Sequence, residues 1–235
     1  ITSILDHTVI HLVFEANPDG RAIAETNRGV YQRKNAHDYG NCGSSGGVDL
    51  NRNFPFMWGR NDGSSGYPCA ETYRGPSAAS EPEVQAIVNY AKKIFPINQR
   101  KSNPESQLGV AYPDSAIGVF IDFHSYGETM IWPWGFQNVL SPNEVGFGAL
   151  VNKYKSFNGY AYSGPNNGFS YPASGASDDW AYGTLGAAAM TFELGTDFYQ
   201  PCTYFSSSIV PKSIRALNYA AKISGAPYSL PKGPD

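Results

Sequence analysis

Two acid–base groups stand in runs that are mainly apolar. Glu193 lies within AAAMTFEL (187–194), and His124 closes GVFIDFH (118–124). A carboxylate amid apolar residues is costly unless paired or functional, and burial raises its pKa toward that of a useful base. An imidazole at a strand end suits metal ligation or proton transfer, although a hydrogen-bonded histidine at a sheet edge has the same sequence signature. Arg33, Asn51 and Arg52 fall in loops rich in Gly, Ser and Asn, and Arg52 sits between two asparagines. A guanidinium fork matches a carboxylate bidentately, so such a site suits recognition of a chain end.

Two other patterns carry less. His7 and His11 have the i,i+4 spacing of a helical metal pair, but HTVIH is β-branched. In a strand these residues stand roughly 13 Å apart. Gly43–Gly47 has the letters of a serine-hydrolase nucleophile elbow. That motif needs a strand before it and a helix after it; a Cys and a Val-Asp-Leu flank it here.

The elements that must hold these residues follow from periodicity. Thr8–Ala16 reads as a buried strand ending at the turn Asn17-Pro18-Asp19-Gly20. Residues 33–73 have little period and read as long ordered loops, which are often functional. Ser80-Glu81-Pro82-Glu83 opens a helix, with Ser80 as the cap and Val84, Ile87, Val88 and Ala91 on one face. After a polar insertion (96–115), Gly118–His124 and Met130–Trp134 read as strands. Ser141 to Glu144 repeats the capping pattern before a helix with Phe147, Leu150, Val151 and Tyr154 inward. Ser177–Leu185 is a short helix ended by Gly186, Ala187–Leu194 a further buried strand, and Pro211–Ser224 an amphipathic helix with Ile214, Leu217 and Ala221 inward. Residues 225–235 read as a linker-like tail. Strands alternating with helices predict an α/β fold.

The 235 residues suffice for one large domain, and 41% hydrophobic content with 16% charged residues excludes a disordered chain. A net charge of -3 leaves no basic footprint for nucleic acid. No run is long enough to span a membrane, and Ile1–Ile10 lacks the features of a signal peptide. Three cysteines allow free thiols or one disulfide with a thiol left over. Cys42 and Cys69 flank a Gly/Ser-rich stretch where a staple would help most, so a Cys42–Cys69 disulfide is expected, which implies an oxidising compartment. Cys202 would pair outside the chain or stay free.

Taken together, NPDG (17–20), GVDLNRNF (47–54), CAETYRG (69–75), DFHSYGE (122–128), YPASGASDDW (171–180) and TFELG (191–195) resemble, in order, the motifs of the zinc metallocarboxypeptidase family of pancreatic type and its secreted bacterial relatives. The resemblance implies a mixed, mostly parallel twisted sheet with helices on both faces, and one Zn2+ ion. It implies that His124 is the last zinc ligand and Glu193 the general base. Arg33 would polarise the scissile carbonyl, and Asn51 and Arg52 would clamp the substrate's terminal carboxylate. Tyr171 would close over that carboxylate, and Tyr126 would line the neighbouring subsite. Cys42 and Cys69 match the family disulfide. Asp178 occupies the floor of the pocket for the last side chain, where Asp implies a preference for Lys or Arg; it could instead serve only as an acidic residue at a helix start. Asp179 and Trp180 match a structural pair. The implied partners are peptide or protein C-termini, and the implied location is secreted or periplasmic.

The sequence departs from the family at the metal. The resemblance places two further ligands in a His-x-x-Glu motif upstream of NPDG, in a stretch that this chain starts too late to contain, together with the first strands. A catalytic zinc ordinarily takes three protein ligands. The expectation is therefore a C-terminal portion of the catalytic domain (1–224), completed by an upstream segment, as part of the same chain or as a separate one. Without that segment it should fold poorly, and the alternative function is a metal-free module that binds peptide C-termini.

Overall fold

The runs VFIDFH and AAMTFE become the two long strands, β1 (Val119–His124) and β4 (Ala188–Glu193). The computed structural model describes residues 2–26, 31–43, 46–163 and 171–230. β1 and β4 pair in parallel, from Val119 opposite Ala188 to His124 opposite Glu193. β2 (Thr129–Ile131) lies antiparallel on the other side of β4, and β3 (Ala161–Ser163) runs parallel to β2. The order β1-β4-β2-β3 is a mixed, mostly parallel sheet. β4 has a neighbour on each side and is buried along all but its last residue, Glu193. That is why it reads as a continuous apolar run rather than an alternating one.

The helices are α1 (Thr2–Leu5), α2 (Pro18–Thr26), α3 (Pro82–Ile94), α4 (Glu144–Asn158), α5 (Ser177–Trp180), α6 (Cys202–Tyr204) and α7 (Val210–Ile223). Alternation along the strands decides which helix meets which face. Phe192 points to Tyr154 of α4, which packs in turn on Tyr219 of α7. Phe120 points the opposite way, to Trp180 of α5. Helices therefore cover both faces. α5 widens into one π turn (Ala181–Leu185) and stops at Gly186, whose φ of 75° suits a glycine C-cap. Among the described residues no helix is long and apolar enough to cross a membrane.

Five expectations are corrected. Residues 8–16 form no strand: Val9, Leu12 and Phe14 are 77%, 65% and 93% exposed. A strand needs a neighbour for its ladder, and none of β1–β4 pairs with this segment. The turn at Asn17 instead begins α2 at Pro18, consistent with the preference for Pro in a helix's first turn. Ser80 does not cap α3; the cap position is Glu81, and the Ser80 hydroxyl donates to the Glu81 carboxylate. α7 buries Ala216, Tyr219 and Ala220 and leaves Ile214 exposed, a face turned by two residues from the expected one. The tail is no linker through residue 228. The Tyr228 ring is buried against Phe147 and Tyr182, and its hydroxyl donates to the carbonyls of Gly186 and Ala187. Residues 231–235 lie outside the described residues.

Candidate active site

Parallel register sets His124 beside Glu193 at the C-terminal ends of β1 and β4. Ligands in open α/β sheets bind at such strand ends. Because side chains alternate, Asp122 shares the face of His124, and Thr191 that of Glu193. The Asp122 carboxylate oxygen Oδ2 lies 3.0 Å from His124 Nε2 and accepts from Ser177 Oγ at 2.5 Å. Burial opposes charge on His124, but Asp122 outweighs it and lifts the imidazole to about 9. The same pairing holds Asp122 below the usual carboxylate range despite its burial. Glu193 is raised by burial, with His124 and Arg33 pulling against that rise.

The opposite wall is built by loops. Asp49 caps a single turn of 3-10 helix, Leu50–Arg52, by accepting from the Asn51 backbone N–H at 3.2 Å. The turn aims Asn51 and Arg52 at the strand ends. The Asn51 Oδ1 accepts from the Ser177 backbone at 2.8 Å, and its Nδ2 lies 3.4 Å from His124 Nε2. Gly175 lets the next loop approach. Its φ is +72°, a Cβ there would meet the Arg52 carbonyl oxygen at 2.4 Å, and its own carbonyl accepts from Phe54 N. Arg52 is buried; its Nη1 donates to the Asn51 carbonyl at 2.7 Å, while its Nε has no hydrogen-bond partner.

One cleft is lined by Arg33, Asn51, Arg52, His124, Tyr171, Asp178 and Glu193 together. Tyr126 is not in its lining; it is half-exposed, with its ring edge-to-face against Phe198 at 4.7 Å. Arg33 is held by a residue that the sequence did not single out: its Nε and Nη2 both donate to Asp49 Oδ2, at 3.0 and 2.9 Å. That pairing raises its pKa against the depressing effect of burial. Burial raises both Asp178 and Asp179; Asp122 adds to the rise of Asp178 and Asp178 to that of Asp179, while backbone N–H groups, His124 and Arg52 work against it. Asp179 accepts from the backbones of Gly135 and Phe136, a purely structural use, whereas Asp178 faces the cleft. Cys42 and Cys69 form the expected disulfide, with Cα atoms 5.2 Å apart, and Cys202 is free and exposed. His11 is taken up by the Tyr90 hydroxyl at 2.7 Å.

Among the described residues no three His, Cys, Asp or Glu side chains gather to hold a metal ion. His124 is the one imidazole lining this cleft, and the carboxylates of Asp178 and Glu193 do not gather with it into a three-ligand group, so the described residues do not fit a complete zinc site. Sequence reasoning also passed over Asp122 and Ser177, which orient His124. The signal was available for Asp122, two residues before His124 on one strand.

The profile described as zinc carboxypeptidase matches residues 1–213. Carboxypeptidase B of Bos taurus is 32% identical over 199 residues, covering 83% of this chain and 42% of that protein. Carboxypeptidase A4 of Mus musculus is 30% identical over 216 residues, covering 90% of this chain and 46% of that protein. The chain thus spans less than half the length of these two relatives. Among solved structures, thrombin-activatable fibrinolysis inhibitor superposes with a TM-score of 0.76 at 24% identity, over 95% of this chain and 53% of that one. The bovine protein in complex with tick carboxypeptidase inhibitor gives 0.69 at 24% identity, over 88% and 66%. These structural likenesses establish the fold.

Proposed function

The chain belongs to the zinc carboxypeptidase family, and on that premise we propose that its protein hydrolyses the C-terminal peptide bond of peptides, preferring Lys or Arg at the end, outside the cytoplasm. The observation that carries this reading is the unpartnered, buried Arg52 Nε in the cleft shared with Glu193 and His124. A buried guanidinium donor without an acceptor costs free energy, and a substrate's terminal carboxylate supplies the acceptor. Asn51 Nδ2 and Tyr171 stand on the same cleft to complete the clamp. Asp178 at the buried end would meet a cationic side chain.

Glu193 is the base. Its raised pKa suits a group that takes a proton from the attacking water and returns it to the leaving amine. Arg33, turned from Asp49 toward substrate, would stabilise negative charge developing on the carbonyl oxygen. His124 would be one zinc ligand, with Asp122 fixing its ring, and two further ligands would come from outside this chain. Tyr126 serves an outer subsite in this reading, and residues 1–224, extended to Tyr228 by its packing, form the C-terminal part of the catalytic domain. Zinc content, measured together with release of the last residue from peptides ending in Arg or Phe, tests the proposal. The expected result is about one ion per protein molecule, faster release of Arg, and a loss of about 10²–10⁴ in kcat for Glu193→Gln. Faster release of Phe would refute the Asp178 assignment. Peptide binding without zinc or hydrolysis would favour the metal-free binding module.

A further inference from the structure

Among the described residues the loops that carry Arg33 and Arg52 have no strand ladder to fix them, yet both converge on Glu81, the first at its buried carboxylate and the second at its backbone N–H. Glu81 is 0% exposed and receives four side-chain groups. Asn35 Nδ2 donates to its Oε2 at 2.8 Å and His37 Nδ1 lies 3.3 Å from the same oxygen. The Tyr39 and Ser80 hydroxyls donate to its Oε1 at 3.0 and 2.6 Å. Asn35, His37 and Tyr39 are spaced two apart along the chain, and all three reach this one carboxylate.

Two routes lead from Glu81 to the cleft. Asn35 joins the Arg33 loop to the Asp49 loop: its backbone N–H donates to the Val48 carbonyl at 3.0 Å, and its side-chain Oδ1 accepts from Val48 N at 2.8 Å. Asp49, the next residue, holds Arg33. On the other side the Glu81 backbone N–H donates to Asn53 Oδ1 at 3.1 Å, and Asn53 follows Arg52 directly. Gly47 shows how closely these loops are pressed together, since a Cβ there would sit 2.0 Å from the Asn35 carbonyl oxygen. The negative charge sits at the N-terminus of α3, where the helix favours an anion. Four donors on a buried carboxylate saturate it, so every loop touching it is locked in register with the others.

We propose that Glu81 is a positioning residue for carboxylate recognition, placing Arg52 through Asn53 against the loop that Asn35 anchors. The idea rests on the carboxylate-clamp reading of the cleft. It is tested by calorimetric titration of the protein with L-arginine and with L-argininamide, which share a side chain, lack a peptide bond and differ in the terminal carboxylate. Wild-type protein is expected to prefer L-arginine. In Glu81→Gln one acceptor oxygen becomes an NH2 group facing donors, and the preference should fall at least tenfold; Tyr39→Phe, which removes a single donor, should lower it about threefold. A purely structural Glu81 would lower the melting temperature and leave the preference of the folded protein unchanged. That result, in folded Glu81→Gln, overturns the proposal. Should that variant not fold, an unchanged preference in Tyr39→Phe overturns it instead. A wild-type protein that binds both ligands equally would refute the clamp itself, a different failure from retention of the preference by the variants.

Discussion

Residues 188–193 and residues 8–14 both read from the sequence as buried strands, yet one segment is the core of the sheet and the other lies open. β4 is paired along both edges and buried through Phe192. The earlier segment, TVIHLVF, has no ladder partner among the described residues, and Phe14 is 93% exposed. β-propensity describes fit to a half-buried pleated surface; where no neighbouring strand offers that surface, the letters alone do not make a strand. A third region, the described loop residues between 31 and 75, has a single bridge, Ser65 to Tyr73, and is held by scattered backbone and side-chain hydrogen bonds and the Cys42–Cys69 disulfide.

The largest effect expected from this contrast is at Phe192. Phe192→Ala should cost about 3–5 kcal/mol in urea denaturation, whereas Phe14→Ala should change stability by under about 0.5 kcal/mol. Equal costs would mean that the open segment is packed in solution and would erase the distinction. Next comes the stapled region: replacing Cys42 and Cys69 by Ser should cost about 2–4 kcal/mol by the same measurement. A negligible loss would show that the hydrogen bonds alone hold these loops.

The smallest effect sharpens the cleft end of β4. Burial raises Asp178 to about 6. It is neutral below that pH and anionic above it, so affinity for a peptide ending in Arg should rise as pH increases through about 6 and level off beyond. The gain approaches tenfold per pH unit well below 6. A peptide ending in Phe should show no such rise, and parallel profiles for the two peptides would detach Asp178 from side-chain recognition.

The sheet strands that carry His124 and Glu193 were legible because both are mainly apolar runs that end on an acid–base residue. α4 was legible from its apolar period, and the clamp from the resemblance around GVDLNRNF. Residues 8–16 were misread because pairing is not local information. The face of α7 was misread because small residues, Ala216 and Ala220, fill it beside Tyr219, and alanine gives a weak periodic signal. The Arg33–Asp49 and Asp122–His124 pairings join polar residues in and around the cleft, and only the folded chain shows the first, which spans sixteen positions. The hold of Asp122 on His124 follows from strand alternation and was readable.

The buried phenol of Tyr228 also bears on where this polypeptide can be cut. Its hydroxyl secures the two carbonyls just before β4 begins, and Glu193 sits at the far end of that strand. A recombinant version trimmed at residue 224 would leave an aromatic-sized hole lined by Phe147 and Tyr182, loosening the root of the strand whose tip bears the proposed base. Affinity tags and fusion partners therefore belong after residue 230, where they leave that plug seated.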